Sequence, residues 1–239
     1  MFKIIKWPII YMVVQFILIF LLAFYFVYTN ENLELFSNYL SSMQIYLVIV
    51  LAIIFIPILM KQYKKLNLEQ NKIDSNSIIL LIGIGIFLSL FYNILIFYIN
   101  KLIPFTNLYG NNEKIFITLL STGLIGPIIE EYMFRGLVYN EALKKYSNIK
   151  SILITTLIFA LFHSSMAQMI YAVIIGLILI WVYEKYKNIK VPIILHMACN
   201  ITTTLFMSFL IKDYLTINFI IFILSIVCLF TIIKVLKNN

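Results

Sequence analysis

The chain has 239 residues, of which 63% are hydrophobic and 12% are charged. Soluble domains are roughly 45–50% apolar, so this composition excludes a soluble globular protein and predicts an integral membrane protein. The formal net charge of +8 is attributed to a basic face that contacts anionic lipid, and no nucleic-acid partner is expected.

Eight apolar runs have lengths near the roughly 20 residues that a helix needs to cross a bilayer. In chain order they are Trp7 to Tyr28, Met43 to Met60, Ile78 to Ile99, Ile115 to Ile129, Ile152 to Phe162, Ala167 to Tyr183, Val191 to Ile211, and Leu215 to Ile233. The fourth is expected to continue through Glu130 and Glu131 to near Tyr146, and the fifth is short for a span. These runs predict an all-α protein of about eight transmembrane helices, with a single membrane domain over residues 1–239.

The distribution of basic residues predicts the orientation of the spans. If each run crosses once and the N-terminus is cytoplasmic, 15 of the 18 Lys and Arg residues fall on the cytoplasmic side. Cytoplasmic loops are enriched in these residues, so both termini are predicted to be cytoplasmic. The heavy use of lysine, isoleucine and asparagine with a single arginine predicts an A+T-rich bacterial genome, and hence a bacterial cytoplasmic membrane. The first three runs carry no charged residue or histidine and are expected to pack or to enclose a substrate.

The end of the fourth run carries three charged residues, Glu130, Glu131 and Arg135. An ionisable group at membrane depth costs about 2.5–3.5 kcal/mol on insertion scales and is therefore a candidate for function. On a helix, Glu131 and Arg135 are i,i+4 neighbours in the order that favours an ion pair. Glu130 lies about 100° further round the helix, where it can act as a general base. The alternative is an ion pair at the membrane interface.

Both histidines of the chain belong to a second kind of pattern. Phe159 precedes His163 by four residues, and His196 precedes Asn200 by four, so each pair shares one face of a helix. A single histidine or asparagine in such a position often serves only to form a hydrogen bond between helices. Because they occur in consecutive polar segments together with the acids, we predict one polar active site enclosed by the helices of residues 115–211.

In this order and spacing, the three motifs resemble the signature of the CPBP family. This family comprises CAAX-processing proteases of the prenyl-endopeptidase type and bacterial abortive-infection and bacteriocin-immunity relatives. The resemblance covers about residues 115–205, the predicted catalytic core, and includes Phe134-Arg135-Gly136, Phe159-Ala160 and Pro192-Ile-Ile-Leu-His196. The chain departs from the pattern at Tyr186-Lys-Asn-Ile-Lys190, where bacterial relatives often have a small-residue turn with a tryptophan.

The resemblance implies hydrolysis of a peptide bond inside the membrane, in a hydrophobic or lipidated peptide or membrane-protein substrate. It implies that Glu130 and His163 activate a water molecule, and that His196 and Asn200 stabilise the oxyanion. The side chains expected to support them are Glu131, Arg135 and Phe159.

Other interpretations stay open. A zinc ion held by Glu130, His163 and His196 is the metalloprotease alternative, but no cofactor is favoured because the chain lacks a His-Glu-x-x-His motif. A second alternative is a non-catalytic immunity or regulatory protein that binds a peptide or a membrane partner. A proton-coupled transporter is less favoured because the chain has no detectable internal repeat.

Overall fold

The computed structural model describes residues 2–29, 36–102, 115–209 and 215–238. Within these ranges the backbone forms eight helices and no strand, which confirms the predicted all-α fold. The helices are α1 (Phe2–Thr29), α2 (Phe36–Lys64), α3 (Ser75–Leu102), α4 (Ile115–Leu143), α5 (Asn148–Leu161), α6 (Met166–Tyr186), α7 (Lys190–Phe209) and α8 (Leu215–Asn238). The last two residues of the predicted run Val191 to Ile211 lie outside the described residues.

Six of the helices in the described ranges are long and apolar enough to cross a bilayer, so the protein is a multi-pass integral membrane protein. The other two are α5 and α7. With 14 residues, α5 rises about 21 Å, less than the roughly 30 Å of a hydrocarbon core. The fifth predicted run therefore does not span the bilayer by itself. With 20 residues, α7 is long enough but contains His196 and Asn200, which suit a helix packed inside the bundle.

The helix α4 is interrupted by π-helical geometry on both sides of its acidic residues. The π segments Leu119–Ile125 and Tyr132–Tyr139 flank the short α-helical segment Gly126–Glu131. The fourth predicted run thus continues as a helix through both acids, as expected. It ends at Leu143, followed by a turn. Such π segments occur often at functional sites because they shift side chains out of the regular helical register.

Side-chain amides compensate for the irregular hydrogen bonding of α4. Asn140 Nδ2 donates to the carbonyl oxygens of Arg135 at 2.8 Å and Gly136 at 2.9 Å. From α7, Asn200 Nδ2 donates to the Thr122 carbonyl oxygen at 2.9 Å. A backbone carbonyl without a partner costs several kcal/mol inside a membrane, so these bonds help α4 to keep its irregular shape.

The close packing of α3 on α7 sets the position of the histidine on α7. At Gly85 of α3, an added Cβ would lie 2.6 Å from Ala198 Cβ and 2.9 Å from the Leu195 carbonyl oxygen, so only glycine fits without a shift of one helix. One turn further along α3, the Ser89 hydroxyl donates to the Cys199 carbonyl oxygen at 2.9 Å. These contacts fix the height and rotation of α7 relative to α3.

Polar residues cap the starts of two helices. At α3, the Ser77 N–H donates to Asp74 Oδ2 at 2.9 Å, as is typical of an N-cap. The hydroxyl and the N–H of Ser77 together hold the pKa of the exposed Asp74 carboxyl below its usual value. At α6, the Gln168 N–H donates to Ser165 Oγ at 3.2 Å. Because Ser165 caps α6 four residues after the end of α5, only a short turn joins the two helices.

Candidate active site

An ion pair between Glu131 and Arg135 lies in the middle of α4, and neither side chain is exposed. Arg135 Nη1 donates to Glu131 Oε1 at 2.8 Å, and Nη2 donates to the Gly176 carbonyl oxygen of α6 at 3.2 Å. The guanidinium carbon lies 4.4 Å from the centroid of the Phe159 ring, within the range of a cation–π contact. The predicted i,i+4 pair is confirmed. Because its side chain is fully buried, Arg135 does not contribute to the predicted basic membrane face.

His196 connects α7 to both acidic residues of α4. Its Nδ1 atom lies 2.7 Å from Glu131 Oε1, and its Nε2 atom lies 3.8 Å from Glu130 Oε2. A carboxylate only accepts hydrogen bonds, so Nδ1 must carry the proton that it shares with Glu131. In the neutral ring, Nε2 then has a lone pair. The Nε2 atom can donate a hydrogen bond to Glu130 or to a substrate only when the ring is an imidazolium.

The buried Phe159 ring is the contact that the two histidines share. Its centroid lies 5.0 Å from that of the His163 ring and 5.9 Å from that of the His196 ring, with interplanar angles of 80° and 85°. His163 Nδ1 lies 3.0 Å from the Phe159 carbonyl oxygen. Because a carbonyl oxygen is an acceptor, Nδ1 carries the proton and Nε2 of a neutral His163 presents a lone pair. The structure therefore brings both imidazoles to one place.

His163 lies just beyond α5 rather than on it, which differs from the sequence prediction. The helix ends at Leu161 because the chain must turn before the Ser165 cap that begins α6. The His163 N–H still donates to the Ala160 carbonyl oxygen at 3.1 Å. This bond extends the turn, so the side chain keeps the contact with Phe159 that the four-residue spacing predicts.

Glu130 and Asn200 lie at the edges of this cluster. The Glu130 side chain is 32% exposed, although its Oε2 atom is buried and accepts no hydrogen bond from any described protein group. Asn200 is on the same face of α7 as His196, but it donates to the Thr122 carbonyl oxygen at 2.9 Å. An amide has two N–H donors, so this bond occupies one of them. The family resemblance implies only the oxyanion role for this amide.

Three contributors to the site carry no motif in the sequence. Tyr11 of α1 lies within electrostatic reach of Glu130, although the first span was expected only to pack or to enclose a substrate. The Thr122 carbonyl accepts from Asn200 because α4 is irregular there. Of the three, Gly176 is the easiest to recognise in the sequence, because it is a glycine within a run of bulky apolar residues. A Cβ there would lie 3.3 Å from Phe159 Cδ1 and 3.6 Å from Arg135 Nη2.

The donor atoms are not arranged as a metal site. No three His, Cys, Asp or Glu side chains converge to hold a metal ion in the described parts of the chain. The Nδ1 atoms of both histidines bond to Glu131 and to the Phe159 carbonyl oxygen, which leaves each Nε2 atom free, as in zinc-ligating histidines. The zinc alternative needs three protein ligands around one point, and Glu130, His163 and His196 do not provide that set as they stand.

Comparisons with known proteins identify the family to which this chain is related. The model of the family "Type II CAAX prenyl endopeptidase Rce1-like" matches residues 112–202, a range that includes Glu130, Glu131, His163, His196 and Asn200. The chain is 30% identical to the membrane-embedded CAAX protease MroQ of Staphylococcus aureus (strain USA300) over 175 residues, 65% of this chain and 68% of MroQ. It is 24% identical over 99 residues to the Bacillus subtilis (strain 168) protein YdiL, whose name describes a membrane peptidase.

The coverage of these relatives is partial. The match spans 41% of the length of YdiL and about two thirds of that of MroQ. No solved structure matches the chain. The identity to MroQ and the family match over the polar segments agree with the motif resemblance, and the chain belongs to the Rce1-like family of type II CAAX prenyl endopeptidases.

Proposed function

We propose that this protein is an intramembrane endopeptidase that cleaves a hydrophobic or lipidated peptide or a membrane-protein substrate. The observation that carries the proposal is the acid–histidine cluster, which we define as Glu130, Glu131, His163 and His196. Within a bundle of apolar helices, His196 lies beside both acids, and its ring and that of His163 both contact the Phe159 ring. A purely structural role would need only the Glu131–Arg135 ion pair. It would not explain why a second acid and two imidazoles lie beside that pair.

In this proposal, Glu130 and His163 activate the attacking water. The Glu130 side chain is partly exposed, so water can reach its carboxylate. The Nε2 lone pair of His163 remains available because Nδ1 donates to a backbone carbonyl. As a water oxygen attacks the scissile carbonyl, its proton passes to Glu130, which then delivers it to the leaving nitrogen. The carboxylate is regenerated, and no covalent enzyme intermediate forms.

His196 and Asn200 are assigned to the oxyanion of the tetrahedral intermediate. His196 can donate from Nε2 only as an imidazolium, and Glu131 stabilises that cation through the bond to Nδ1. The second N–H of Asn200 is the other proposed donor, while its first holds the Thr122 carbonyl. Arg135 keeps Glu131 in place and Phe159 separates the two imidazoles. Loss of one oxyanion donor typically lowers the rate about 100- to 1000-fold.

Loss of His163 tests the proposal in cells. Membrane peptides are compared by mass spectrometry between cells that express the wild type, His163→Ala and Leu161→Ala. We expect one or more hydrophobic peptides or proteins to accumulate uncleaved with His163→Ala, because a positioned base contributes about 100-fold or more to the rate. Leu161 is the matched control, since it is two residues away and 74% exposed. A non-catalytic immunity or regulatory protein predicts that His163→Ala leaves the peptides and the phenotype unchanged.

Metal removal tests the proposed chemistry separately. We expect the purified protein to keep its peptidase activity after exhaustive chelation, because the proposed mechanism activates water with Glu130 and His163 and the donors form no three-ligand set. The measurement is the cleavage rate before and after treatment with a chelator, together with elemental analysis of the protein. Activity that disappears on chelation and returns with added zinc would instead support the metalloprotease alternative.

A further inference from the structure

A cavity of about 740 Å³ lies at the C-terminal end of α2, far along the chain from the acid–histidine cluster. We call it the lysine cavity, because three of its six lining residues are lysines. It is lined by Pro57, Met60, Lys61, Lys64, Lys65 and Asn67. A smaller cavity of about 380 Å³ adjoins it through Lys65 and reaches Lys144 at the end of α4. Together the two cavities form a concave basic region where α2 ends.

Among the residues that the structure describes, no acidic side chain pairs with the three ammonium groups of the lysine cavity. Within the described residues, Lys61, Lys64 and Lys65 form no ion pair, whereas Lys144 is paired with Glu141 at 2.5 Å. Lys61 and Lys64 are like charges three residues apart on α2, and Lys65 follows in the turn, so the three charges repel each other. A bound anion removes this repulsion, and a multivalent oxyanion such as a phosphate group can contact more than one ammonium group at once.

An apolar stripe on α2 leads directly to the lysine cavity. Its members Val50, Ile53, Ile54 and Ile58 are exposed, with Ile53 exposed by 73%. They follow helical spacing, and Lys61 continues the same face one turn later. From Val50 to Ile58 the helix rises about 12 Å, close to the roughly 15 Å that one leaflet contributes to the hydrocarbon core. The stripe is about as long as one acyl chain, and the cavity lies at its end, where the headgroup of the same lipid molecule would be.

We propose that the lysine cavity binds the phosphate headgroup of an anionic phospholipid whose acyl chain lies along the apolar stripe. The unpaired lysines select the negative headgroup, and the exposed isoleucines contact the chain. Tyr63 extends from the same end of α2 towards α4. Its ring centroid lies 5.5 Å from that of Tyr132, and its Cδ2 atom would lie 3.1 Å from a Cβ at Gly136. These contacts join the end of α2 that carries the lysine cavity to the helix that carries both acids.

The test is lipid binding by the purified full-length chain. The protein is titrated in detergent with phosphatidylglycerol or with phosphatidylcholine of the same acyl chains, and bound lipid is counted by native mass spectrometry. We expect wild type to bind phosphatidylglycerol at least about tenfold more tightly than phosphatidylcholine, since each nearby lysine favours an anionic lipid. Phosphatidylglycerol should also raise the thermal unfolding midpoint, because a ligand that binds only the folded state stabilises it.

Matched variants separate the cavity from the general charge of the protein. The triple variant Lys61→Gln, Lys64→Gln, Lys65→Gln should lose the preference, and replacement of the same lysines by arginine should keep it. The control variant removes three exposed lysines elsewhere and should bind like wild type; its changes are Lys145→Gln, Lys150→Gln and Lys190→Gln. The arginine variant also reports on folding, because it alters the same positions without removing charge.

Three results would overturn this proposal. An equal loss in the cavity and control variants would mean that the basic residues attract anionic lipid without a specific site. An unchanged preference in the glutamine cavity variant would mean that these lysines are not involved. Complete displacement of phosphatidylglycerol by millimolar inorganic phosphate would assign the cavity to a soluble anion. None of these measurements depends on peptidase activity, so they are independent of the proposed function.

Discussion

Replacing Glu130 with glutamine is expected to lower kcat about 100- to 10,000-fold, the range that a positioned general base contributes. Glutamine keeps the shape of the side chain but cannot take a proton from water. The KM should change little, because Glu130 is proposed to act on water and not to hold the substrate. The measurement is steady-state kinetics of the purified protein with a peptide that accumulates uncleaved in His163→Ala cells.

Two controls make this result specific to the chemistry. Glu130→Asp keeps a carboxylate at a shorter reach and should retain more activity than Glu130→Gln. The thermal unfolding midpoint of Glu130→Gln should match that of wild type, because Glu130 Oε2 accepts no hydrogen bond from any described protein group. A fully active Glu130→Gln protein would contradict the assignment of Glu130 as the general base. If His163→Gln were inactive at the same time, the general base would instead be the His163 imidazole.

Removing one partner of the Glu131–Arg135 ion pair is expected to have the largest effect on stability. Arg135→Met leaves a carboxylate inside the bundle with only His196 as its partner, and Glu131→Gln leaves the guanidinium without a counter-charge. Breaking a buried pair in this way typically costs about 3–5 kcal/mol. We therefore expect each single variant to show a much lower thermal unfolding midpoint in detergent, and a lower yield of folded protein from membranes.

The double variant Glu131→Gln, Arg135→Met distinguishes stability from function. It leaves no unpaired buried charge, so it should recover most of the stability that either single variant loses, as buried pairs often do when both partners are replaced. Its peptidase activity should not recover, because His196 no longer has a carboxylate at Nδ1 to stabilise its imidazolium. Stability losses that simply add in the double variant would show that the two side chains do not depend on each other.

The geometry of α4 explains how one helix can serve both stability and chemistry. Two π segments separate the acidic residues from regular helix on either side. The irregular backbone is satisfied by Asn140 within α4 and by Asn200 from α7. Glu131 then points to Arg135 and His196, while Glu130 remains partly exposed. Adjacent acids of the same chemical type therefore have different environments, as the 100° rotation between neighbouring helical residues requires.

Features that depend on neighbouring residues were predictable from the sequence alone. Hydropathy and run length predicted the eight helical segments, because the requirement for an apolar surface acts on consecutive residues. The Glu131–Arg135 pair followed from i,i+4 spacing, which brings two side chains together in any helix. The family resemblance rested in the same way on short motifs in a fixed order. For these features, local geometry and the lipid environment were sufficient.

Other features were decided only by the tertiary structure. The bond from His196 to Glu131 joins residues 65 positions apart, and that from Asn200 to Thr122 spans 78 positions. Hydropathy does not report which helices are neighbours, because every span presents a similar apolar surface to lipid and to protein. The contacts depend instead on the height and rotation of each helix, which close packing at Gly85 and Gly176 sets. Spacing and hydropathy therefore predicted which segments carry polar groups into the membrane, whereas helix packing set how deeply those groups are buried and which of them share a proton.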